Sequence, residues 1–147
     1  MTLIGTHDDT IGGGRESFLW GLASPAVGTH TVSLPNAQPN GYAVSMSFIG
    51  ASQVGTYVSD SCGHDTDNAS AFYSLAVPSA SGDLVVDVVN EYGTTITVDA
   101  SQTQRMNNQS VVTIAVSTKA ATGTTTAMTW TLGEAVLWSN GAVSVKP

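Results

Sequence analysis

The densest concentration of side chains able to do chemistry is the run Asp60-Ser61-Cys62-Gly63-His64-Asp65-Thr66-Asp67-Asn68. Asp60, Asp65, Asp67 and Asn68 offer the several oxygens that Ca2+ requires. The run lacks the bidentate Glu and the spacing of an EF-hand. Asp and Asn also populate loops because they close Asx-turns on their own backbone. A plain polar loop is the stronger reading, and Ca2+ at these four residues is the single cofactor expectation. Cys62 and His64 raise zinc or a Cys-His nucleophile pair. A structural zinc site takes four N or S ligands, and the other histidines, His7 and His30, lie far off in sequence. His7, beside Asp8 and Asp9, joins His64 only if two loops meet. Cys62 is the chain's one cysteine, so it forms no intrachain disulfide and reads as a small semi-buried residue or a free thiol.

Gly12-Gly13-Gly14-Arg15 invites a phosphate-loop reading. That site needs a following helix whose amides face the anion, and a Lys-Ser/Thr pair. Here Arg15 leads into a strand pattern, so the glycines read as a loop. No G-x-S-x-G element is present, and no acid pair or Ser-His-Asp set follows from the spacing. The expectation is a protein that is not an enzyme. Three tryptophans and four tyrosines could build a sugar-stacking platform. Trp20 and Trp130 fall on apolar parities, which makes core packing their default. Trp138 and Tyr92 are the aromatics expected at the surface, as ligand or partner contacts.

These residues must be held by strands. Charged residues are 10% of the chain, against about 25% in an ordinary soluble domain. Ser, Thr and Gly replace them, which suits short strands and tight turns. Eleven acidic residues against four basic ones give a net charge of −7. Nucleic acid and anionic membranes are therefore not expected partners, because both need clustered Lys and Arg. No run reaches the length of a membrane span. The start, MTLIGTHDDTIGGGR, has neither a basic n-region nor a long apolar h-region, so no Sec-type leader is expected.

Alternation of apolar and polar residues predicts the strands. Residues 16–22 place Phe18, Trp20 and Leu22 on one face. Residues 30–34 turn Val32 and Leu34 inward, before a breaker-rich run at 35–41. The cleanest alternation is at 42–49, with Tyr42, Val44, Met46 and Phe48 on one side. Strands follow near 56–59 and 71–77. Residues 84–89 are apolar almost throughout, as in a central strand covered on both faces. Ile96 and Val98 mark a strand at 94–100, residues 102–109 are ambiguous, and Val112, Ile114 and Val116 mark 111–117. The last stretch, 124–147, reads as one or two strands around a corner at Gly133-Glu134. Short strands with Gly/Pro/Asn punctuation predict an all-β, antiparallel β-sandwich, jelly-roll or immunoglobulin-like, of about nine or ten strands. A closed β-barrel is the alternative. One domain spans 1–147, with 1–14 as an arm or short edge strand.

Several segments carry a resemblance: MTLIGTH, FLWGLASPAVGTHTVSL, SGDLVVDVV, the QTQR at 102–105, STKA at 117–120, and TWTL with AVSVKP at the end. Together the chain resembles a β-sandwich module of bacterial secreted or surface proteins and of phage structural proteins, less that module's first strand. The resemblance implies a non-enzymatic part of a larger assembly. A missing strand would leave a sheet edge open for pairing with another chain. The leading expectation is a structural protein of a virion (decoration, head or tail accessory) or an extracellular filament, meeting itself or neighbouring subunits through sheet edges or the N-terminal arm. The alternative is a carbohydrate-binding or adhesive module of a bacterial surface protein.

The resemblance aligns 124–147 with a single long terminal strand, whereas Asn140-Gly141 is a strong hairpin signal. A continuous strand with a bulge or kink at Asn140-Gly141 is the favoured reading, since a lone two-stranded ribbon needs cover of its own.

Overall fold

The computed structural model describes residues 1–8, 16–33, 42–62 and 70–147. Among them the chain is all-β, with eleven strands: β1 (Thr2–Asp8), β2 (Glu16–Gly21), β3 (Gln53–Val54), β4 (Val58–Cys62), β5 (Ser70–Pro78), β6 (Leu84–Glu91), β7 (Ile96–Val98), β8 (Thr103–Asn108), β9 (Thr113–Ala120), β10 (Thr125–Val136) and β11 (Trp138–Lys146). All pairings are antiparallel.

Two sheets build the sandwich. One has three strands in the order β5-β10-β7. The other has six, in the order β3-β11-β6-β9-β8, with β4 also on β11. Neither closes into a barrel. Between β10 and β11 only Leu137 stands outside a strand, so the chain changes sheets there. The expected corner at Gly133-Glu134 is instead an irregularity inside β10, where the register with β5 shifts between Thr131 and Val136.

The core lies between the sheets. Tyr73, Leu75 and Val77 of β5 and Met128, Trp130 and Leu132 of β10 face Val85 and Val89 of β6, Ala115 of β9, and Trp138 and Ala142 of β11. Alternate residues of β5 and β10 are buried, because one face of their sheet is open to solvent. Most residues of β6 and β9 and nearly every residue of β11 are buried, because these strands are covered on both faces.

The second cover has two parts. Residues 42–48 carry the predicted alternation but pair with no strand. Val44 and Met46 pack on Val86, Val116 and Val145 of the six-stranded sheet, while Tyr42 and Phe48 remain exposed. The other part is a two-stranded ribbon of β1 and β2, which lies against β11. Of the strand expected at 30–34, residues 30–33 are exposed and lie outside any ladder, and Leu34 lies outside the described residues.

Asn140-Gly141 forms no hairpin. β11 is continuous, and its pairing with β4 and β6 runs through both residues with no shift, so the expected bulge is absent too. Packing explains both residue types. A Cβ on Gly141 would come within 2.8 Å of the Tyr57 ring, so only glycine admits that ring to the sheet. Asn140 is buried, and its Oδ1 accepts the Asp60 backbone N–H at 2.9 Å.

Candidate functional site

The expected Ca2+ ligands are not brought together in the described structure. Asp65, Asp67 and Asn68 lie outside the described residues, as does His64. Asp60 sits in β4, and its Oδ1 accepts the backbone N–H of the next residue, Ser61, at 2.9 Å. No group of three or more metal-ligating side chains occurs among the described residues. Cys62 lies opposite Trp138 in the β4–β11 ladder. His7 reaches inward from the ribbon, with its Nδ1 3.2 Å from Ser59 Oγ.

Trp138 is not at the surface. It is 5% exposed, with its ring 4.8 Å from that of Tyr73 at an interplanar angle of 32°. The physical reason is its place on β11, whose edges pair with β6 and with β3 and β4, and whose faces are covered by the three-stranded sheet and by the ribbon. Tyr92, in the turn after β6, is exposed as expected. Trp130 takes the expected core position and Trp20 does not. The parity of β2 that carries Phe18, Trp20 and Leu22 points outward.

A buried polar network pins the two sheets together. Asp87 of β6 faces the core. Its Oδ2 accepts the Trp130 indole N–H at 2.7 Å and the Tyr73 hydroxyl at 3.3 Å. Its Oδ1 accepts the Ser117 hydroxyl at 2.5 Å and the Ser117 backbone N–H at 3.1 Å. Gln102 extends the chain, donating from Nε2 to Ser117 Oγ at 2.8 Å and accepting the Thr129 N–H at 2.5 Å. Burial raises the Asp87 carboxyl above its usual range, and the hydrogen bonds from Ser117, Trp130 and Tyr73 oppose that rise. Burial beside Asp87 likewise raises the Tyr73 hydroxyl well above its ordinary value. A hydroxyl against a carboxylate has the outline of a nucleophile and its base. Ser117 is 0% and Asp87 1% exposed, and every partner here is a neighbour in the fold, so this geometry serves cohesion.

The remaining feature is apolar surface. Leu3, Phe18, Trp20 and Leu22 are each 43–58% exposed. Their strands show why. Ser17, Leu19 and Gly21 of β2, with Ile4, Gly5 and His7 of β1, form the half-buried side facing β11. The opposite side of the same ribbon is therefore open and apolar. Exposed Val27, Val32, Tyr42, Phe48, Ile49 and Val54 continue along the segments that follow it in sequence. Among the described residues, Met1 precedes the ribbon, and Phe72, Tyr92, Val111 and Leu137 are the other large exposed apolar side chains that lie elsewhere.

Counting hydrophobic periodicity does not reveal this, but charge placement does. No Asp, Glu, Lys or Arg falls between Glu16 and Asp60. Among the described residues, nine of the fifteen large exposed apolar side chains fall in this stretch free of Asp, Glu, Lys and Arg. Singly scattered exposed apolar residues are ordinary on a soluble monomer, whereas here they concentrate in one stretch of the sequence.

No protein-family model, curated protein or solved structure matches this chain.

Proposed function

We propose that this chain is a non-enzymatic structural subunit that assembles with copies of itself, as a virion component (decoration, head or tail accessory protein) or as a subunit of an extracellular filament. The observation that carries this reading is surface area. The chain exposes 8600 Å2. A compact monomer of its 15.1 kDa mass exposes about 7,100 Å2. The excess is roughly 1,500 Å2, about twice what one partner contributes to a standard interface. The apolar character of much of that surface supports the same reading. Sedimentation velocity on the full chain from 1 to 100 μM tests it. A dimer or larger species is expected, and a monomer throughout that range would overturn the reading.

A second reading, carbohydrate binding by exposed aromatics, draws support from Tyr92 at 57% and Trp20 at 45% exposure. Under it, glycans added with and without Ca2+ would change the tryptophan fluorescence of the intact chain. A blank glycan screen in both conditions removes it.

A further inference from the structure

We infer that the outer face of the β1–β2 ribbon, with the 22–33 segment that continues from it, is the surface by which two copies of this chain join, ribbon against ribbon. The inference rests on the self-assembly reading above and says where the contact lies.

The ribbon is a third layer on the sandwich. Its inner side is spent against β11, where the Tyr57 ring fills the space left by Gly5 on one side and Gly141 on the other. Its outer side carries Leu3 opposite Trp20, and Phe18 opposite Thr6. Leu3 and Trp20 share a face and no side chain of the described structure covers them. A two-stranded ribbon with one naked apolar face is marginal in water and is stabilised by a further layer. Sheets stack face to face about 10 Å apart. A second ribbon supplies that layer.

The occupant is a second copy for two reasons. The first is charge. Each chain carries −7, so two copies repel unless they meet where neither is charged. Asp8 and Glu16 pair at one end of the ribbon, and residues 17–33 contain no Asp, Glu, Lys or Arg. A two-fold axis in the plane of contact and perpendicular to the strands sets the Asp8–Glu16 ends of the two copies at opposite extremes, so the uncharged patch between them meets its own image as an isologous contact requires. The second reason is area. A ribbon of this length and two strands' width covers roughly 20 by 10 Å, well short of the roughly 800 Å2 each partner gives to a stable interface. Residues 22–33 make up the difference. Each of them is exposed, with Val27 at 104%, and the chain leaves the ribbon through Ser24, whose φ of 49° turns it in the left-handed region.

The test uses the full-length chain. Phe18→Ser with Trp20→Ser is compared with the wild type and with Val111→Ser, an exposed apolar residue on a different surface. In sedimentation velocity the wild type and Val111→Ser form a dimer or larger species. The double variant weakens association at least about 100-fold. Because both altered side chains project outward, its circular dichroism and melting profile stay those of a folded protein. Leu3→Cys, Phe18→Cys and Trp20→Cys, each with Cys62→Ser, give a second readout that needs no loss of function. At least one yields a covalent dimer on mild oxidation, while Val111→Cys does not. If the wild type assembles but the double variant assembles equally well, or none of the ribbon cysteines cross-links, this inference fails and the self-assembly reading stands. A wild type that stays monomeric up to 100 μM overturns both. Trp20 fluorescence that answers to a glycan in such a monomer assigns the face to sugar instead.

Discussion

Asp87 shows how one residue in an apolar strand can organise a core. Its neighbours in β6 are valines, and its carboxylate gathers donors from β5, β9 and β10. Burying a charge is costly unless its lone pairs are filled, and here four donors fill them. Replacement by Asn keeps the shape, but the Nδ2 that takes the place of Oδ2 brings N–H groups against the Trp130 N–H. Leaving a buried donor unpaired costs about 1–3 kcal/mol, so Asp87→Asn lowers stability by that amount in urea unfolding although it removes a buried charge. The pH dependence has a definite sign. With its pKa raised on folding, Asp87 holds more protons folded than unfolded, so its contribution to stability falls as pH rises from about 4 toward its folded pKa. Asp83 acts oppositely. The Ala80 N–H, and then Lys146 at 3.2 Å, lower its pKa, so its contribution is present above about pH 4 and is lost as pH falls through the folded value. Unfolding measured at pH 4, 6 and 8 shows the Asp87 decline in the wild type and none in Asp87→Asn. Equal slopes would remove Asp87 as its source. Parity identified Trp130 and the apolar parts of this core from sequence. The network around Asp87 was not legible, because its donors come from three strands whose adjacency no single sequence displays.

The strand pattern was legible and the covering of its faces was not. Alternation in 16–22 identified β2 correctly, yet alternation says only that two faces differ. The assumption that the apolar face is covered by the same chain placed Phe18, Trp20 and Leu22 inside, and they lie outside. Residues 42–48 make a related point, since a segment can pack by parity on a sheet without joining its ladder. Trp138 was misplaced because nothing in its local sequence shows that its strand is central and buried on both faces. What attaches the ribbon to that strand is the Tyr57 ring. A Cβ on Gly141 would meet the far end of the ring, and a Cβ on Gly5 would meet its base. Held from both sides, the ring cannot swing away. Gly141→Ala therefore overpacks the site and costs about 1–3 kcal/mol. In a Tyr57→Ala background the added methyl enters vacated space, and its cost falls by most of that amount. A double-mutant cycle in urea unfolding measures the coupling. Hydrogen exchange in Gly141→Ala should rise in β1 and β2 first, and uniform loss of protection across β6 and β9 would mean the ribbon is not the element Tyr57 holds.

At the scale of the whole molecule the charges and the exposed apolar groups occupy different parts of the chain. The gap between Glu16 and Asp60 was readable from the first line of sequence, but its meaning depends on exposure, which only the fold supplies. That segregation makes a prediction about salt. Association through charged pairs weakens as salt screens attraction. Here each copy brings −7 to the encounter and residues 17–33 of the proposed contact carry no charge, so the dominant long-range term is repulsion. The Debye length falls from about 30 Å at 0.01 M to about 8 Å at 0.15 M, a change that removes most repulsion between charges outside the contact. Self-association should therefore strengthen from 10 to 300 mM NaCl, chiefly through a faster on-rate. It should strengthen again as pH is lowered toward the sequence pI of about 4.4, where net charge vanishes. Sedimentation velocity at three salt concentrations measures the first effect, and light scattering along a pH series the second. An assembly that dissociates on adding salt would place charged residues at the contact, and the interface would have to be sought outside residues 17–59.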